Sequence, residues 1–393
     1  MEIYLDNSAT TKMAEEAAEK MLQVIQEDYG NPSSLHLKGV GAEGYIREAR
    51  SNFAGLLKVK EKEIFFTSGG TESDNWAIFS AAKSMKHTGK RLITTAIEHP
   101  AVLSPMKELE RQGWEVITLP VDKRGIVSEE ALAGALNEET ALVSVMMVNN
   151  EVGSIQPVER IGALVREKAP RALFHVDAVQ GFGKLAITPS KWGIDLMSVS
   201  AHKLHGPKGV GLLYASSKSK LKPMIYGGGQ QEDLRSGTEN VPGIAAFDVA
   251  AKLAYANLEE DRARLYELKD HFVSELKQLP DVVINGPAAF ETDVDMGSRT
   301  DAPHIVNASF TGIRSEVLLH SLEDKGIFVS AGSACSSHKR KPSATLSAMG
   351  LSAGEMESAL RFSFSSYTTR EELDLTLEAL GELLPNLRRF TRH

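Results

Sequence analysis

Along the middle of the chain, apolar residues fall in short runs, separated by stretches where they recur at helical spacing. The runs cover residues 63–67, 91–95, 115–119, 141–148, 172–176, 196–199 and 209–214, each of strand length and bounded by polar or glycine-containing turns. Helical periodicity marks residues 72–85 and 100–112 between them. Strands alternating with helices predict βα units around a mostly parallel sheet, an α/β architecture. From 243 to 279 the helical pattern runs on without interruption, with Ile244, Phe247, Ala251, Leu265, Phe272 and Leu276 among its apolar markers and a charged middle at 258–264. A long helix with such a middle suits a crossing between two lobes. The chain closes on a further helix, where Thr369 and Glu372 form a capping box and Leu373, Leu377, Leu380 and Leu384 make one apolar stripe, read as core packing.

Composition narrows the classes. A chain of 393 residues has room for two domains, or for one large domain with a smaller lobe. Its formal charge of -8 disfavours nucleic acid or an anionic membrane as the main partner. No apolar run approaches the roughly 20 residues that span a bilayer. The first residues, Met1 to Asp6, lack the basic and apolar segments of a secretory leader, so a cytoplasmic location is expected. The single cysteine, Cys335, excludes an intrachain disulfide and a cysteine-based zinc site, and no metal is expected. Cys335 lies in the Gly/Ser-rich stretch 330–343, which ends in charge and proline and reads as an exposed loop. Following basic residues could lower its pKa toward the nucleophilic thiolate, although a lone cysteine also serves often as a small core residue.

The candidate chemistry sits at strand ends, where open α/β sheets bind ligands. Lys203 follows the run 196–199 in Ser200-Ala-His-Lys203, and Asp177 and Gln180 follow the run 172–176. A lysine that can form a Schiff base and a carboxylate on a neighbouring strand are what pyridoxal phosphate requires: one holds the aldehyde, the other the protonated ring nitrogen. Taken singly, each reads as a solvated surface residue. Ser68-Gly-Gly-Thr71 lies between a strand and a helix, where glycines and free N–H groups suit a phosphate, and Thr71 could act as the helix N-cap. No Gly-Lys-Ser/Thr follows, which disfavours ATP. His99 stands where an imidazole could stack on a ring or move protons, and Asn149 and Asn150 end another strand. Arg361 offers a planar fork for a carboxylate or for a structural salt bridge.

Together these segments resemble the cysteine desulfurases, in the class V aminotransferase-like group of fold type I pyridoxal phosphate enzymes. The similarity is carried by Tyr4-Leu-Asp-Asn-Ser-Ala-Thr-Thr11, Gly30-Asn-Pro-Ser-Ser34, Thr67-Ser-Gly-Gly-Thr-Glu-Ser73 and Glu98-His-Pro-Ala-Val102. It continues through Asn149-Asn-Glu-Val-Gly153, His175-Val-Asp-Ala-Val-Gln180, Ser200-Ala-His-Lys203, Arg235-Ser-Gly-Thr238, Ser333-Ala-Cys335 and Arg361-Phe-Ser363, and so covers essentially the whole chain. The resemblance implies a large domain, residues 15–255, with a mostly parallel seven-stranded sheet flanked by helices. A smaller α+β domain of residues 1–14 and 256–393 would carry a long, mobile cysteine loop.

The resemblance also implies roles. Lys203 would bind the aldehyde of pyridoxal 5'-phosphate, Asp177 its ring nitrogen, Gln180 its ring oxygen, and His99 would stack on the ring. Gly70, Thr71, Ser200 and His202 would hold the phosphate, with Thr238 reaching the cofactor of the neighbouring subunit in a homodimer. Asn150 would lie near the cofactor, Arg361 and Asn31 would bind the substrate carboxylate, and Cys335 would receive sulfur from L-cysteine as a persulfide. A sulfur-acceptor protein is implied as partner, serving iron–sulfur cluster assembly or tRNA and cofactor thiolation. The basic run His338-Lys-Arg-Lys341 departs from the pattern and leaves the acceptor open. The alternatives are a selenocysteine lyase or small-amino-acid aminotransferase of the same fold, and, more distantly, a non-catalytic sulfur-relay protein.

Overall fold

All seven apolar runs form strands of one sheet in the computed structural model, which describes residues 2–290, 296–331 and 342–390. In spatial order the strands are Ile64–Thr67, Gly211–Ala215, Leu196–Ser200, Leu173–Asp177, Thr140–Met146, Arg91–Thr95 and Glu115–Leu119. Gly211–Ala215 runs antiparallel to both neighbours and every other pairing is parallel. Leu173–Asp177 and Thr140–Met146 are buried at every position, which explains why they read as continuous apolar runs without alternation. Because six of the strands point the same way, their C-terminal ends gather on one edge. Asp177 and Ser200 are the last residues of their strands, and a single 3-10 turn, Ala201–Lys203, follows Ser200.

A second, antiparallel sheet has the order Ser330–Ala331, Ala359–Ser363, Ile305–Phe310, Val282–Asn285. Its core is aromatic: Phe272 meets Phe362 and Phe364 edge-on at centroid distances of 5.1 and 5.7 Å. The closing helix, Arg370–Phe390, begins with the expected capping box, with Thr369 N–H on Glu372 at 2.8 Å and Glu372 N–H on the Thr369 hydroxyl at 3.2 Å. Leu373, Leu380 and Leu384 are buried in this second core.

The long helical run departs from expectation. It is two helices, Val241–Ala256 and Leu258–Leu276, separated at Asn257, whose φ of -124° and ψ of 29° leave the helical region. The break lets the apolar face change partners. Ile244, Phe247 and Ala251 join the core of the large sheet, whereas Leu265, Phe272 and Leu276 join that of the small one. A straight helix could not present both stripes. At the other end of the chain, Ile3–Tyr4 pairs with Ile327–Phe328, and the segment after it crosses to the large sheet, where Thr11 N–H bonds His202 O at 2.9 Å. Residues 6–11 thus bridge the two sheets beside the strand ends.

Candidate active site

The strand ends enclose a cavity of about 250 Å³. Its floor is Asp177, buried, with its Oδ1 accepting the Val179 N–H at 2.9 Å. The turn after Ser200 aims Lys203 inward, and its Nζ donates to the backbone carbonyls of Ser8 and Ala9 at 2.5 and 2.7 Å. His99 caps the helix Pro100–Arg111 through Nδ1, which accepts the Ala101 N–H at 3.1 Å and so leaves the ring proton on Nε2. Gly70, Thr71, Asn150, Gln180, Ser200, His202 and Arg361 are also part of the lining. Thr71 is not the N-cap: Gly69 holds that position and the helix Gly70–Met85 starts one residue earlier than Thr71, which is exposed in its first turn. Gly69 has φ of 149°, a conformation open to glycine and costly for other residues. A Cβ added at Gly70 would stand 2.7 Å from Val179 Cγ2, so this glycine keeps the helix start close against the cavity wall.

Arg361 is held from two sides and left open on a third. Its Nη2 pairs with Asp6 at 2.7 Å and its Nη1 donates to Asn150 O at 2.8 Å, while the buried Nε has no hydrogen-bond partner among the described residues. Asn31 and Thr238 are not in this cavity. They share a separate pocket of about 330 Å³ with Tyr29 and Pro32, so within one chain Asn31 does not join Arg361. Cys335 and the basic run His338 to Lys341 lie outside the described residues.

Burial sets the charge states. Asp177 is pushed up by desolvation, opposed by the Val179 N–H and by His99 and Lys203 nearby. His99 is lowered by burial; the charge of Asp177 opposes this and that of Lys203 adds to it, so the net shift favours the neutral ring. His202 is lowered to about 4 by burial and by Lys203 and Lys208, which keeps it neutral; its Nδ1 lies 3.2 Å from the Thr10 hydroxyl. Behind Asp177 are two carboxyls that sequence reasoning assigned no role. Burial pushes Glu98 up to about 8 although it accepts from Thr95 Oγ1 and Met146 N at 2.7 and 2.9 Å. Asp74, raised by burial and by the charge of Asp177, lies 3.5 Å from His175, which burial lowers to about 3. Three carboxyls so close in a low-dielectric interior cannot all be ionised. Glu72 was also missed: it takes both arms of Arg235 at 2.8 and 3.1 Å and ties the segment 235–238 to the start of the helix Gly70–Met85. Its signal was an acid in the first helical turn, which reads equally well as a helix-dipole residue.

An amine, a buried carboxylate and an arginine with an open edge around one small cavity match a known lineage. The model of the family described as aminotransferase class-V fits residues 3–376. Cysteine desulfurase IscS of Dictyoglomus turgidum is 41% identical over 388 residues, 98% of this chain and 95% of that protein. That of Methanosarcina thermophila is 42% identical over 99% of this chain and 93% of its own length. The chain belongs to the class-V aminotransferase family, among its cysteine desulfurases. Among solved structures, one titled a NifS-like protein superposes with a TM-score of 0.91 at 40% identity, covering 98% of this chain and all of that one. The NifS-like protein of Rickettsia africae gives 0.85 at 29% identity over 98% of this chain and 100% of its own. Desulfurases of this family use pyridoxal 5'-phosphate, and the residues here fit it: Ser8 Oγ and Arg361 Nε are buried polar atoms without a hydrogen-bond partner among the described residues, both in residues that line the cavity.

Proposed function

We propose that this desulfurase takes sulfur from L-cysteine onto Cys335, releases L-alanine, and passes the sulfur to an acceptor protein. The observation that carries the reading is Arg361. Arg361 lines the same cavity as Lys203 and Asp177 and keeps a buried Nε without a hydrogen-bond partner among the described residues, so a substrate carboxylate paired with it would present its amino group to the lysine. Pyridoxal 5'-phosphate, when bound, supplies an electron sink for the substrate's Cα. The chain's own residues do the rest. Lys203 would hold the aldehyde, and its Nζ would be the group that moves the Cα proton. Asp177 would keep the ring nitrogen protonated, Gln180 would meet the ring oxygen, and His99 would cover the ring. The start of the helix Gly70–Met85, with Ser200 and His202, would hold the phosphate through N–H groups and the helix dipole.

Cys335 then attacks the substrate sulfur as thiolate. An S–S bond forms, the substrate Cβ–S bond breaks, and its electron pair returns to the carbon skeleton, which takes up a proton and leaves as alanine. The flanks of the cysteine segment stand beside the site. Ser330 is the register partner of Arg361, and Ser343 donates to Glu151 at 2.5 Å. Cys335→Ala is expected to keep the cofactor's yellow absorbance and to form little alanine from cysteine without a keto acid; full activity in that variant overturns the persulfide reading.

Three further assignments belong to this proposal. The chain divides into residues 15–255 and a second domain of 1–14 with 256–393. It works as a homodimer, supported by a run of exposed apolar side chains around Asn31 and Thr238 that includes Leu35 at 99% and Leu37 at 89% exposure. It acts in the cytoplasm, where the lone thiol stays reduced between turnovers. Transfer of labelled sulfur from cysteine to proteins of iron–sulfur assembly or of tRNA and cofactor thiolation distinguishes the acceptors.

A further inference from the structure

Gln180 is gripped from behind by a histidine belonging to the other sheet. His304 immediately precedes the strand Ile305–Phe310 and is 2% exposed, and its carbonyl accepts the Phe364 N–H at 2.8 Å. Its Nε2 lies 3.4 Å from Gln180 Oε1, and its Nδ1 is buried with no hydrogen-bond partner among the described residues. These two facts select the tautomer. A proton on Nδ1 would leave a buried N–H unmade and set the Nε2 lone pair against the amide oxygen; a proton on Nε2 gives that oxygen a donor. The doubly protonated form is excluded as well. Burial, with the positive charges of Lys184, Lys269, Arg361 and Lys203 around it, holds His304 well below the ordinary histidine range.

A glutamine amide can present either end to a ligand. With Oε1 on the His304 side, the Gln180 NH2 group donates to Ser8 O at 2.9 Å and keeps its second hydrogen. We propose that His304 is a positioning residue that fixes the flip of Gln180, so that its NH2 and not its carbonyl meets the ring oxygen of the cofactor. The inference rests on the reading of Gln180 as the ring-oxygen contact. A donor there competes for the charge that the oxygen offers to the proton on the Lys203 nitrogen, and so lowers the pH at which the cofactor's visible band titrates. Without His304 the amide samples both flips, one of which turns a carbonyl toward an anionic oxygen, and the midpoint rises.

Titrating the visible band of the holoenzyme tests this in Gln180→Ala, His304→Ala, the double variant and His304→Gln. Gln180→Ala is expected to raise the midpoint, and His304→Ala to raise it by about half to one pH unit. The double variant should move no further than Gln180→Ala alone, and His304→Gln, whose amide nitrogen stands in for Nε2, should restore the wild-type midpoint. A merely structural role would give additive shifts and no rescue. An unmoved band in Gln180→Ala overturns the ring-oxygen reading and this inference with it. A moved band in Gln180→Ala with none in His304→Ala, or additive shifts, overturns this inference alone. Nitrogen NMR of histidine-labelled wild-type protein adds a readout independent of any variant: a neutral Nε2–H form of His304 supports the assignment, and an Nδ1–H form overturns it.

Discussion

At the residue scale, the site is a problem in keeping one charge and suppressing its neighbours. In the proposed site Asp177 would be ionised to hold a protonated ring nitrogen, yet Glu98 and Asp74 share its buried surroundings, and each is raised by desolvation with the charge of Asp177 adding to the effect. Glu98 gives a measurable consequence. Its folded value of about 8 stands above the ordinary 4.5, so between those pH values the folded chain binds more protons than the unfolded one. The stability it contributes is complete below pH 4.5 and is lost as the pH rises through about 8. Unfolding of the cofactor-free chain in denaturant, repeated across that window, should show a falling component of about 1.4 kcal/mol per pH unit at most. Glu98→Gln, neutral at every pH, should flatten it while leaving stability at the acid end nearly unchanged. An equal slope in the variant would assign the fall to other groups. Glu98 sits beside His99 in a motif whose chemistry was legible from the sequence, but its own role was not. Nothing in a lone Glu-His pair says that the acid turns inward under a strand end while the histidine faces the cavity.

At the element scale, one of the connections between the two sheets is ionic. Lys269, on the helix Leu258–Leu276, and Asp301 are both wholly buried and 2.7 Å apart, and Arg299 adds a second bond to Asp301 at 2.8 Å. The same stretch bonds the loop behind Asn150, with Ala302 N–H on Gly153 O at 2.6 Å and Ile155 N–H on Thr300 O at 2.7 Å. Removing one partner strands a buried charge, so Asp301→Ala should cost about 3–5 kcal/mol in denaturant unfolding. Adding Lys269→Met in that background should recover part of the loss; no recovery would mean that Arg299 or the backbone bonds carry the connection. Elements of this kind divide what sequence reveals from what it hides. The seven strands were legible because their burial is written as apolar runs, and the closing helix because its cap and stripe are local. The split at Asn257 was not, because both flanking helices are good helical sequence and only the change of packing partner breaks them. Nor were Lys269 and Asp301, which read as two ordinary surface charges until the fold brings them together.

At the scale of the whole molecule, the apolar face around residues 22–40 sets the last question. Leu22, Ile25, Tyr29, Leu35, Leu37 and Val40 are exposed along this stretch, a density of large apolar side chains that suits an interface. Thr238 and Asn31 share a pocket on that face and lie outside the cavity of their own chain. In the proposed homodimer each Thr238 serves the partner's cofactor, a geometry that complementation can detect. Lys203→Ala destroys a subunit's own site but lends an intact Thr238, while Thr238→Val keeps the lysine and lends a defective contact. A mixed dimer therefore holds one fully intact site, although neither parent does. Random reassociation of equal amounts makes half the dimers mixed, so about a quarter of wild-type alanine formation should return on mixing two weakly active preparations. Sedimentation should show dimers throughout. Activity on mixing no greater than the mean of the two parents would place Thr238 in its own subunit's chemistry or in none, and would leave the exposed face to a different partner.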